Sequence, residues 1–161
     1  MIEKLLESAI MAQLAAVLPQ GTEIVGAWQT SAPGVVKGSE SGTAAAFVAV
    51  AVSPRSFETF TTPKANFAVA ISLKVRAERD PQGVLFTSCA DAMLALLQQW
   101  QTSLPAVRTA MSVDGFTPHG MRIDGGQITT DAEAEALVVA ESFTVRGIVS
   151  QPTTGDNNEL G

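Results

Sequence analysis

The sequence predicts one α+β domain: a mostly antiparallel β-sheet with two α-helices packed on one face. Three observations predict it. An apolar stripe at helical spacing opens the chain, and a strict alternation marks a strand at 66–77. The order helix, strand, hairpin, helix, strands also lacks the regular alternation of a βαβ protein. At 161 residues, of which 46% are hydrophobic, the chain is long enough for one sizeable core. The expected division is a single domain over 1–150 followed by a polar, disordered tail at 151–161 (QPTTGDNNELG).

In the first element, residues 2–18, Ile2, Leu6, Ile10, Leu14 and Leu18 recur at helical spacing, and Pro19 and Gly21 end the run. Glu3 and Glu7 lie near its positive end, where carboxylates are favoured. A short strand is expected at 22–28, then a long Gly/Ser/Thr-rich loop at 29–43 (QTSAPGVVKGSESGT). Loops of that length in a compact domain are usually functional. The charge-free run 44–52 (AAAFVAVAV) reads as a central strand covered on both faces. At 66–77, Phe67, Val69, Ile71, Leu73 and Val75 alternate with smaller or polar residues, so one face is apolar. The two strands make a long hairpin whose connection holds Pro54, Arg55, Phe57, Phe60 and Pro63.

Asp80 and Pro81 read as the N-cap and first residue of a second helix running to about Trp100. Asp91 is its one charge after Val84, which suggests cover on a second side by another subunit. The last third is rich in turn signals. Met121–Ile123 and Gln127–Thr129 read as arms of a short hairpin about Asp124–Gly125–Gly126. A final strand is expected over 135–149, with 131–140 a possible helical start.

The net charge is −6, and all of the imbalance lies beyond residue 113, where eight acids face only Arg122 and Arg146. Nucleic-acid binding needs Lys and Arg against phosphates, so this composition argues against it. No apolar run reaches the length of a membrane span, and MIEKLLESAI does not resemble a signal peptide, so a soluble cytosolic domain is expected. One cysteine excludes an internal disulfide.

Catalytic signals are weak. His119 is the only histidine and reads as an exposed loop residue with no nucleophile motif nearby. Cys89 reads as a buried, inert thiol in a helix. A single Cys and a single His cannot build a structural zinc site, and no phosphate loop is present. Neither an enzyme, a cofactor nor a metal is expected. Phe57 and Phe60 sit in a loop, either tucked onto the core or presented to a partner.

In length and in the order of MIEKLLESAI, AAAFVAVAV, ANFAVAISLKVRAE, ERDPQGVLFTSCADAMLALLQQW and EALVVAESFTVRGIV, the chain resembles the tail terminator (tail completion) proteins of long-tailed bacteriophages and prophages. The resemblance spans about residues 1–150 and is one of layout; the turn-rich 113–131 has no counterpart in it. It implies a non-enzymatic virion protein that assembles in the host cytoplasm. Such proteins form a ring, commonly a hexamer of identical subunits, at the head-proximal end of the tail tube. The ring stops tube polymerisation, contacts the tube protein and the head connector, and lets DNA through its lumen; no membrane is involved. On that basis Val35, Lys37, Arg55, Phe57 and Phe60 are candidate contact residues. Asp124, Asp131, Glu133 and Glu135 are candidates for an acidic lumen lining. The alternatives are another head–tail joining protein, or a small domain with an apolar ligand pocket lined by Phe67, Met93, Trp100 and Phe143.

Overall fold

The computed structural model describes residues 1–28, 45–58, 63–131 and 135–150, without the side chains of Arg55 and Glu58. The predicted loop 29–43 and tail 151–161 lie outside the described residues. The chain runs α1 (Ile2–Val17), β1 (Glu23–Gly26), β2 (Ala46–Glu58) and β3 (Lys64–Arg76). It continues through α2 (Val84–Thr102), α3 (Leu104–Met111), β4 (Phe116–Asp131) and β5 (Ala136–Val149). The α+β class holds: one five-stranded sheet, in order β1-β2-β3-β5-β4, is antiparallel except where β1 pairs with β2.

That parallel pair gives the long stretch before β2 a reason. Parallel neighbours need a crossover of a dozen or more residues, and 27–45 is long enough to supply it.

Strands β2 and β3 form the predicted hairpin, paired from Ala46–Val75 to Glu58–Lys64 with a register shift between Pro54 and Ser56, but it is longer than expected: Pro54, Arg55 and Phe57, expected in the connection, lie in β2. A proline has no N–H to give a ladder, so it belongs at such an irregularity. Strand β3 is paired on both edges along its whole length and alternates buried and half-buried as its sequence does.

The buried positions of β2 and β3 point to one face. There Val48, Val50, Ile71, Leu73, Val139 and Phe143 meet Leu6, Ile10 and Leu14 of α1, Met93 and Leu97 of α2, and Val107 and Met111 of α3 in one core. Phe67 packs edge-on against Phe116 with ring centroids 5.1 Å apart, and Trp100 lies 5.9 Å from Phe143. The four residues considered for an apolar pocket, Phe67, Met93, Trp100 and Phe143, are thus closed into this core.

Four expectations are corrected. First, β2 is covered on one face only: Ala49 and Ala51 on the other are exposed. Second, the layer holds three helices among the described residues. Helix α3 follows a one-residue break, where the Ser103 hydroxyl accepts the Ala106 amide at 3.3 Å and Pro105 sits in the first turn.

Third, α2 begins at Val84 after Gly83, whose φ of 74° suits a residue without Cβ. Asp80 caps the helix from a distance. Its Oδ1 and Oδ2 accept the amides of Leu85 at 2.9 Å and Phe86 at 2.8 Å. The outward side of α2, with Thr87, Ser88, Asp91 and Gln98, is exposed in this chain. Fourth, 116–131 is one long strand and not a hairpin. The Asp124–Gly125–Gly126 turn signal falls at a register shift in β4, between Ile123 and Gly125.

Candidate functional site

With every helix on one face, the other face of the sheet has no cover from the described residues. The register lines its side chains up in cross-sheet rows. Two central rows are Ala49–Ser72–Ala140–Gln127 and Ala51–Ala70–Ser142–Gly125, each running from β2 to β4. They contain no charge and nothing larger than glutamine. The result is a platform of small side chains that another backbone can approach closely.

Charges are held to the two ends of this platform. At one end the Arg76 guanidinium lies 5.3 Å from the Phe47 ring centroid, and Lys74 Nζ is 3.0 Å from Asp131 Oδ2. At the other, Asp124 accepts from the Thr144 hydroxyl at 2.7 Å and from Arg122 Nε at 3.0 Å. Both surface pairs are partly exposed, so each contributes at most about 1 kcal/mol. Their effect is to fix side chains and neutralise acids.

The acids proposed for a lumen therefore do not share one environment. Asp124 and Asp131 are paired with cations, Glu135 is exposed in the β4–β5 turn at φ 50°, and Glu133 lies outside the described residues. Of the proposed contact residues, Val35, Lys37, Phe60 and the side chain of Arg55 also lie outside them. Phe57 is described and is 58% exposed, which resolves the choice between core and surface for that ring. It borders an apolar hollow of 430 Å³ at one end of the molecule, with Met1, Ile2, Leu5, Pro63 and Val149.

His119 is on β4 and half-buried, not in an exposed loop. It occupies a register shift between Pro118 and Gly120, and its Nε2 is buried without a hydrogen-bond partner among the described residues. Burial pushes the Cys89 thiol above its ordinary range, against the opposing hydrogen bond with Thr22, so thiolate chemistry is disfavoured. Among the described residues, no three His, Cys, Asp or Glu side chains gather as a metal site. Nor is any described helix long and apolar enough to cross a membrane.

One residue that sequence reasoning placed differently is Glu7. It is fully buried, and its Oε1 accepts the Trp28 amide at 2.7 Å while Oε2 finds no partner among the described residues. A Cβ on Gly26 would run into this carboxylate and displace it. Glu7 shares the buried side of α1 with Met11 and Leu14, a spacing that was readable.

No family model matches this chain, and no curated protein matches its sequence. Among solved structures, a chain described as "Virion of native gene transfer agent (GTA) particle" overlays with a TM-score of 0.49 at 14% identity. The overlay covers 84% of this chain and 84% of that chain.

Proposed function

We propose that this protein is a structural component of a phage-type particle. In this reading it is a tail terminator that assembles with copies of itself into a ring, six subunits being the expected number, at the head-proximal end of the tail tube. The observation that carries the reading is the uncovered sheet face with two uncharged rows of Ala, Ser, Gly and Gln. Such a face costs little to desolvate and lets another backbone approach closely. The exposed apolar end around Phe57, Met1 and Leu5 offers a second contact of the same kind. The layout resemblance supplies the terminating role and the expected partners, tube protein on one side and head connector on the other.

DNA passing through such a ring would meet a chain of net charge −6, which disfavours adhesion. Because Asp124 and Asp131 are paired, that repulsion belongs to the chain's total charge and not to those two carboxylates alone.

The test is electron microscopy of tails assembled without this protein. Tubes of uncontrolled length, without joined heads, are expected. Tubes of normal length overturn the terminating role, and normal-length tubes without heads would reassign the protein to head joining.

A further inference from the structure

The platform's far end is built differently from its middle. Two adjacent rows, Ala68–Thr144–Arg122 and Asn66–Arg146–Gly120, cross β3, β5 and β4 there. Directly opposed residues on such rows lie about 5 Å apart. Where Arg146 faces Gly120 there is no opposing side chain, and a Cβ built on Gly120 meets nothing within 4 Å. Around that gap lies a hollow of 410 Å³, with Asn66, Arg122, Thr144, Arg146 and His119 in its wall.

Two features shape this hollow from behind. The register shifts on either side of 120–123 fall at His119 and Asp124, and shifts of this kind re-aim side chains. Asp124 takes Arg122 through Nε, which fixes the guanidinium plane and leaves its terminal nitrogens pointing away from that contact. The Asn66 amide is held likewise, donating to Ser56 Oγ at 2.7 Å. Arg146 and Asp124 each keep a further interaction within the protein. Among the described residues, the hollow's lining holds two guanidinium groups and no carboxylate, with Asp124 behind Arg122. That is the arrangement of a small anion site: donors come from three strands, and an empty floor lies between them.

We propose that this hollow binds a phosphate group, as inorganic phosphate or a phosphomonoester. Converging donors suit a tetrahedral oxyanion better than a planar one, because they approach from several sides. The volume exceeds what one phosphate fills and leaves room for an attached organic group. A net charge of −6 repels an extended polyanion over a Debye length but scarcely affects a single short anion at the site. The proposal concerns the isolated chain and does not depend on ring assembly.

Titration of the full chain with inorganic phosphate, and separately with adenosine monophosphate, tests it by backbone and Arg Nε NMR. Saturable shifts confined to Gly120, Arg122, His119 and Arg146 are expected. Arg146→Ala should weaken binding at least about tenfold. Gly120→Leu should do the same by filling the floor with no change of charge, and an unchanged amide spectrum elsewhere verifies its fold. Shifts spread over all cationic surface and unaltered by Gly120→Leu overturn the site, as does the absence of saturation at tens of millimolar. If a short single-stranded oligonucleotide binds there more tightly than the monoester, the small-ligand class is overturned in favour of a nucleic-acid backbone.

Discussion

Adjacent residues on β3 allow the two faces of the sheet to be tested by one substitution each. Leu73 is fully buried, opposite Val48 on one side and Val139 on the other. Truncating it to Ala removes about three carbon groups at about 0.8 kcal/mol each, and the cavity left behind brings the loss to about 3 kcal/mol. Leu73→Asp adds an ionised carboxylate among aliphatic side chains with no cation in reach, at several kcal/mol more. The total exceeds about 5 kcal/mol, which takes most or all of the 5–15 kcal/mol that holds such a domain together.

Ser72, one residue earlier, points to the bare face, so Ser72→Asp should cost under about 1 kcal/mol. Urea denaturation followed by tryptophan fluorescence reads both variants, because Trp100 is buried and loses its environment on unfolding. A Leu73→Asp protein with the parent midpoint, or an unfolded Ser72→Asp protein, refutes the face assignment. A folded Ser72→Asp protein should also fail to self-associate, since it places a charge in an uncharged contact row.

Asp80→Ala should destabilise by about 1–2 kcal/mol in the same assay, because two amides at the positive end of α2 lose their acceptors. Asp80→Asn, which keeps one acceptor oxygen, should lose less. Partial burial raises the Glu141 carboxyl above its ordinary value of 4.5. A raised folded-state value means that the ionised form is penalised, so the penalty is present at neutral pH and vanishes as pH falls below 4.5. Glu141→Gln should therefore raise Tm at pH 7 and leave it unchanged at pH 3. Phe57→Ser, at an exposed ring, should change stability by less than about 0.5 kcal/mol and lower self-association in analytical ultracentrifugation.

What could be read from the sequence followed from how one-sided each element's burial is. The stripe on α1 and the alternation on β3 reflect one wet and one dry face, so the pattern and the structure agree. Strand β4 gave no such signal. From Asp124 to Thr130 every residue is exposed, so no alternation of burial exists to be seen. Its paired glycines imitate a turn, whereas Gly126 serves to clear the Glu141 carboxylate on β5.

Helix α3 was missed because only Val107, Ala110 and Met111 of its eight residues are buried, although Ser103 and Pro105 marked its start. The parallel β1–β2 pair was hidden because β1 has only four residues. The phosphate hollow was legible only as isolated letters: Asn66, Gly120, Arg122 and Arg146 come from three strands, and register alone brings them together. Glycine at 120 leaves a space opposite Arg146.

The interruptions in β4 bear on how copies of this protein can meet. An outermost strand of 16 residues would ordinarily be a template on which a neighbour's backbone could zip. Here the ladder to β5 breaks twice, leaving short straight runs out of line with one another. Growth by edge-to-edge stitching, the route to open-ended fibrils, is thereby discouraged. In the proposed ring, subunits would then meet broadside, where a closed assembly of fixed number can form.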